Sequence, residues 1–190
     1  MIRQIPVYLF RPFDRREPAG DGVSPSHRLL ARALSRHTGL PTEAFGEPAL
    51  TPRGKPHYPA FPDLHFSISH SGELWLCAVG DGPLGLDVQR ILTARRAESI
   101  ARRFFHPEER AFLAAAGDPD AFFTVWTAKE SYVKYTGQGI DGNFAAFAAA
   151  DADGLLSAVG DACLTPFAPA PGYAACLCAP YPAEVILMEL

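Results

Sequence analysis

The sequence is short of lysine: Lys55, Lys129 and Lys134 stand against fourteen arginines among 190 residues. Such a ratio reads as a coding bias towards arginine, so the lysines that survive it mark positions for scrutiny. An ammonium is a compact point charge that reaches a phosphate where a planar guanidinium does not fit. Long apolar runs are missing too. None approaches the ~20 residues that a membrane span requires, and the first residues lack a signal-peptide pattern. The expected location is therefore the cytoplasm, without membrane association. Cysteine is sparse and unpatterned. Cys77, Cys163, Cys176 and Cys178 form no C-x-x-C pair and have no histidine at finger spacing, so buried free thiols are expected rather than zinc ligands or disulfides. A positive excess is also lacking. The net charge of −4 argues against broad nucleic-acid binding, and any anionic partner must be met by a local basic patch.

What is present describes a protein with a substantial core: 48% of residues are hydrophobic and mean hydropathy is +0.01. A chain of this length suits one domain or two small, closely packed halves. Residues 2–10 are rich in strand formers, with Pro6 suggesting an edge. A loop spans residues 11–23. A helix is expected from Pro25 to His37, with Ser24 as N-cap, Gly39 as stop and Leu29, Leu30, Ala33 and Leu34 as its apolar face. After an irregular, proline-rich stretch to Pro62, strands are expected at 65–69 and 74–79, joined through Ser71-Gly72-Glu73, and then at 84–88. Residues 91–105 are basic and amphipathic. Pro107, Glu108 and Glu109 open a short helix ending near Gly117, and a long helix covers 119–136. Later strands are expected at 155–159, 173–178 and 185–188. This order implies an α+β fold of two halves, residues 1–83 and 84–190.

Two apparent motifs are decoys. Gly80-Asp81-Gly82-Pro83-Leu84-Gly85 satisfies G-x-G-x-x-G, but a strand rather than a helix follows it, so no helix N-terminus would meet a pyrophosphate. A Ser-His-Asp triad from Ser69 or Ser71, His70 and Asp87 fails because no G-x-S-x-G elbow is present. A serine adjacent to its own histidine also presents the pair poorly.

A different set is better suited to chemistry. Trp126, Glu130 and Lys134 recur every four residues on one face of the long helix. On its own this is most simply an exposed ion pair. Asp87, at the end of a strand, supplies a second carboxylate. Two hard carboxylates from separate elements suit Mg²⁺, which keeps several waters and shares its remaining positions with substrate phosphates. Lys55, His70, Lys129 and Lys134 could balance those phosphates.

These residues fall in four segments in order: Gly54-Lys55-Pro56, Phe66-Ser67-Ile68-Ser69-His70-Ser71, Gly85-Leu86-Asp87-Val88-Gln89, and Trp126 to Lys134. Together they resemble the ordered motifs of the Sfp-type 4′-phosphopantetheinyl transferases, as does Arg103-Phe104-Phe105. The resemblance covers roughly residues 24–140. It implies two similar α+β halves related by a pseudo-twofold, with coenzyme A and Mg²⁺ in the cleft between them. By this resemblance Lys55 and Pro56 would lie on the adenine side of coenzyme A, Ser69 and His70 at its phosphates, and Arg28 at its 3′-phosphate. Asp87 and Glu130 would hold Mg²⁺, Lys134 the pyrophosphate, and Lys129 has no assigned contact. Two departures stand out. Gln89 occupies the position of a second acid; its amide oxygen can ligate Mg²⁺ but brings no charge. The basic N-terminal helix of larger members is replaced by a loop carrying Arg11, Arg15 and Arg16.

The implied activity is Mg²⁺-dependent transfer of the 4′-phosphopantetheine arm to a serine of an apo acyl or peptidyl carrier protein, releasing 3′,5′-ADP. Glu130 would be the base, with Lys134 and His70 stabilising charge. The implied partner is a small acidic helical carrier that docks on the stretch from Ile91 to Phe105, through Arg95, Arg96, Arg102 and Arg103. A monomer is implied. The alternative is an impaired homologue that binds coenzyme A or a carrier without transfer.

Overall fold

Pro6 sits inside a strand that has neighbours on both sides. The structure, a computed structural model, describes residues 2–16, 22–92, 97–139 and 143–190. In order, the elements are β1 (Arg3–Phe10), α1 (Pro25–Thr38), β2 (Ala49–Leu50), β3 (Pro56–His57), β4 (His65–Ser71), β5 (Leu74–Gly80) and β6 (Gly85–Arg90). Three helices follow: α2 (Ala97–Phe104), α3 (Pro107–Ala116) and α4 (Pro119–Thr136). The remainder is β7 (Ala150–Asp151), β8 (Gly154–Leu155), β9 (Ala158–Val159), β10 (Ala162–Phe167), β11 (Tyr173–Ala179) and β12 (Ala183–Glu189). The fold is α+β. Two four-stranded sheets have the orders β12-β1-β5-β4 and β6-β11-β10-β9. Pro6 is tolerated between β12 and β5 because the β5 ladder begins only at Val7, so its missing N–H falls outside that ladder.

The two sheets pack face to face, and each carries a helix on its outer side. Strand alternation explains this layering. Ile5, Val7 and Leu9 of β1 and Leu74, Leu76 and Ala78 of β5 meet Leu86 and Val88 of β6 and Ala175, Leu177 and Ala179 of β11 in one buried cluster. The intervening residues face the helices. Tyr8, Trp75, Cys77 and Val79 pack on Leu29, Leu30, Ala33 and Leu34 of α1, while Cys176 and Cys178 pack with Ala128 of α4. Strands buried on both faces read as nearly continuous apolar runs, as β5 does. The ends of α1 follow their sequence signals: Ser24 caps the His27 N–H, and Gly39 ends the helix at φ 76°.

A row of serines joins the sheets. Ser67, Ser69 and Ser71 lie at alternate positions of β4, and their hydroxyls accept the backbone N–H groups of Leu86, Val88 and Arg90 at 2.9, 3.2 and 3.0 Å. Each bond contributes on the order of 1 kcal/mol net, and together they set the register of β6 against β4. Strand β4 therefore runs to Ser71, two residues beyond its expected end.

Three further differences concern the second half. Strand β10 forms where no strand is expected. Its partner β9 pairs only with Ala162 and Cys163, so Pro166 lies where no β9 ladder needs its N–H. The expected strand at 155–159 is two short ones, β8 and β9. The strand expected at 185–188 runs over Ala183–Glu189 and pairs parallel with β1 from Arg3↔Ala183 to Leu9↔Glu189. The four cysteines are free, and Cys77, Cys176 and Cys178 are buried. Burial pushes the Cys176 thiol up to about 12. Among the described residues no helix is long and apolar enough to cross a membrane.

Candidate active site

Gly85 brings the catalytic candidates together. A Cβ at this position would collide with the Ser131 carbonyl oxygen and the Tyr135 backbone nitrogen. Only glycine lets α4 rest directly on the start of β6. That contact places Asp87, two residues further along β6 on the same face, beside Glu130 and Lys134 of α4.

Four charged residues are buried among those described: Asp87, Glu109, Lys129 and Glu130. Lys129 and Glu109 satisfy each other. The Lys129 ammonium lies 2.8 Å from Glu109 Oε1 and donates to the Phe147 carbonyl at 2.6 Å. It sits over the rings of Phe147, Phe144 and Phe105. Glu109 also accepts from the Ala149 and His106 N–H groups, the latter closing a capping box at the start of α3. Both side chains are fully enclosed. Lys129 is thus a structural cation that joins α3, α4 and the 147–149 segment. The sequence marks it among the candidate phosphate partners.

Asp87 and Glu130 remain. Asp87 Oδ1 accepts from Lys134 Nζ at 2.7 Å and from Ser69 Oγ at 2.8 Å. Lys134 Nζ also donates to Ser69 Oγ and to the Leu86 carbonyl, at 3.1 and 3.0 Å. Asp87 Oδ2 is buried and has no hydrogen-bond partner among the described residues. Glu130 is 5% exposed, and its carboxyl is pushed up to about 7, first by burial and then by the Asp87 charge, against the opposing pull of Lys134. Glu130 therefore feels the charges of both Asp87 and Lys134, and Lys134 is ion-paired to Asp87. Gln89, next on this face of β6, accepts from Ser71 Oγ at 3.2 Å.

Glu130 and Lys134 open into a cleft of ≈ 210 Å³, lined also by Arg53, Pro56, Phe66 and Gly137. Larger hollows lie between α2, α3 and α4 (≈ 610 Å³) and beside the start of β1 (≈ 750 Å³). The buried charges single out the smaller cleft. Lys55 also lines it, but its ammonium points to the end of α4. It donates to the Lys134, Tyr135 and Leu84 carbonyls at 2.7, 3.4 and 3.0 Å. Those bonds satisfy helix C-terminal carbonyls that otherwise lack partners, and burial lowers the Lys55 pKa. His70 points to the opposite face of β4 from Ser69, against Phe13 with ring centroids 5.1 Å apart. Burial, then the charges of Arg15 and Lys134, lower its pKa, which favours the neutral imidazole. Arg28, near the start of α1, donates to the Val23 carbonyl at 2.9 Å. Arg102 and Arg103 lie in the last turn of α2; Arg95 and Arg96 lie outside the described residues.

Sequence reasoning misses the serine row as a joining device. Its signal is visible in the alternation of Ser67, Ser69 and Ser71.

The fold and site together define an α+β protein with an acidic, lysine-balanced cleft between β4 and α4. Residues 83–174 match the model of the 4′-phosphopantetheinyl transferase superfamily. A 4′-phosphopantetheinyl transferase of Bacillus subtilis is 42% identical over 90 residues, covering 46% of this chain and 39% of that protein. The transferase Sfp of Bacillus subtilis (strain 168) is 40% identical over 90 residues, with the same coverage. The transferase HetI of Nostoc sp. is 36% identical over 140 residues, covering 70% of this chain and 56% of HetI. These stretches of the chain are thus similar to 4′-phosphopantetheinyl transferases, and the chain spans about half or less of the length of these relatives.

Proposed function

We propose that this protein transfers the 4′-phosphopantetheine arm of coenzyme A to a serine hydroxyl of an apo acyl or peptidyl carrier protein. The observation that carries the proposal is the buried Asp87–Glu130 pair, with Asp87 Oδ2 unpartnered among the described residues and Glu130 lining a cleft between β4 and α4. The names of the relatives support the group transferred.

The donor set fits a divalent cation. Asp87 Oδ2 has a free lone pair, Glu130 is crowded by a like charge, and Gln89 adds a neutral oxygen, the hard-oxygen chemistry that Mg²⁺ requires. When bound, Mg²⁺ would neutralise charge on the pyrophosphate of coenzyme A. Lys134 holds Asp87 in place and stands ready to offset charge on the pyrophosphate. The carrier serine oxygen attacks the β-phosphorus, the bond to the leaving 3′,5′-ADP breaks, and Glu130 takes the serine proton. A carboxyl held near 7 suits that role at neutral pH. His70, as a neutral imidazole, donates one N–H to a phosphate oxygen. Pro56 and the stem of Lys55 line the adenine side of the cleft, and Arg28 meets the 3′-phosphate. The Lys55 ammonium, committed to α4, braces the site. The two-sheet arrangement supports the reading of two similar halves. A cytoplasmic monomer acting on an acidic carrier, docked beside α2, completes the proposal.

The test mixes protein, coenzyme A, Mg²⁺ and an apo carrier and follows carrier mass. A gain of the phosphopantetheine arm is expected, lost in Glu130→Gln without loss of fold. Binding without modification across several carriers would identify a non-transferring homologue. Release of the 3′-phosphate alone would identify a phosphatase.

A further inference from the structure

The serine row that joins the sheets has unequal members. Ser67, Ser69 and Ser71 each accept one backbone N–H from β6. Ser69 additionally donates to Asp87 Oδ1 at 2.8 Å, and Ser71 donates to Gln89 Oε1 at 3.2 Å. The geometry explains the pairing. Ser69 and Ser71 are two residues apart on β4, as Asp87 and Gln89 are on β6, so each hydroxyl meets one side chain of the facing strand. Ser69 Oγ accepts from both the Val88 N–H and Lys134 Nζ, which fills its acceptor sites and leaves its one proton for Asp87. Ser71 Oγ accepts from the Arg90 N–H and donates to Gln89.

We infer that Ser69 and Ser71 are positioning residues for the divalent cation, aiming Asp87 and Gln89 towards it through hydrogen bonds to Oδ1 and Oε1. This inference rests on the metal reading proposed above. For Asp87 the consequence is specific. With Oδ1 taken by Ser69 and Lys134, the buried Oδ2 is the oxygen left to ligate. For Gln89 the bond uses one lone pair of Oε1 and holds the amide in one orientation, so that the second lone pair of that oxygen is the one left for a cation. Where an amide stands in place of a second carboxylate, orientation offsets part of what charge does not supply. Partners of this kind typically hold metal affinity up by roughly 10–100-fold.

Ser67 lines the same cleft and serves as the comparison within the row. It makes the same strand-joining bond, from the Leu86 N–H, but among the described residues its hydroxyl makes no bond to Asp87 or Gln89, which Ser69 and Ser71 hold. The experiment titrates Mn²⁺ into the protein, with and without saturating coenzyme A and without carrier, and reads bound Mn²⁺ by electron paramagnetic resonance. Thermal unfolding of each variant is measured in parallel. Ser71→Ala and Ser69→Ala are expected to weaken Mn²⁺ binding roughly 10-fold or more, Ser67→Ala to leave it within about 2-fold, and Ser71→Thr to restore it. Equal affinity in Ser71→Ala and wild type would overturn the positioning role while leaving the metal reading standing. An equal loss in all three alanine variants would reduce the row to a structural joint. Failure of the wild type to bind Mn²⁺ in either condition would overturn the metal reading and this inference with it.

Discussion

At the scale of the residue, Glu130 carries the clearest physical tension. Its carboxyl is held near 7 by burial and by Asp87, well above the ~4.3 of an unfolded chain. Between those values the native state binds more protons than the unfolded state, so metal-free stability falls as pH rises from about 4 to 7. Glu130→Gln removes the charge and keeps the shape. The variant is expected to be more stable than wild type at about pH 8 without divalent metal, on the order of 1–3 kcal/mol. The gain should vanish by about pH 3.5, where the wild-type carboxyl is largely protonated in both states. Chemical denaturation at the two pH values checks this; an equal effect at both would show that Asp87 and burial do not strain Glu130. Lys129 illustrates the opposite case, a buried charge whose partners are complete and whose role is to hold α3 and α4 together.

At the scale of the element, the seat of α4 on β6 decides whether the site exists. Gly85 permits the approach, and the Lys55 ammonium ties the Lys134 and Tyr135 carbonyls to Leu84 at the same corner. Gly85→Ala would drive a methyl into backbone that cannot swing aside. Overpacking ordinarily costs about 1–3 kcal/mol. With backbone as the obstacle, a loss at or above the top of that range is expected, together with weakened binding of divalent metal, because α4 carries Glu130 and Lys134. Denaturation midpoints and Mn²⁺ binding on any folded fraction measure the two effects. A variant as stable as wild type would mean that α4 does not sit as close to β6 as described.

At the scale of the whole molecule, the last strand closes onto the first. Strand β12 returns from the second half to pair with β1 along seven residues, and the Arg36 guanidinium of α1 donates to the Glu189 carbonyl beside it. Removing residues 183–190 would expose the β1 edge and uncover the apolar surface beneath Val185, which packs on the core shared by both sheets. Unpaired apolar edges template association. The truncated chain is expected to aggregate or to lose its cooperative transition, as read by size-exclusion chromatography and circular dichroism. A soluble monomer with unchanged melting would show that β12 is dispensable to the joint between halves.

Much of this was legible from residues alone, for a local reason. Helix α1 was bounded by Ser24 and Gly39, α4 by Pro119 and Gly137, and runs of strand formers between glycine turns marked β4 to β6, because caps, turns and side-chain alternation act within a few residues. The ordered segments holding Lys55, Ser69, Asp87 and Glu130 likewise carried the family resemblance without coordinates. Tertiary structure decided what depends on distant partners. Strand β10 is not among the strands the sequence suggests, and β12 was set apart from β1 by more than 170 residues of chain. Lys129 and Lys134, five residues apart on one helix, looked alike as cations. Glu109 and a ring of phenylalanines made the first structural, while Asp87 and an open cleft made the second part of the candidate site. A side chain's type is written in the sequence; the groups that surround it, which set its charge state and role, exist only once the chain has folded.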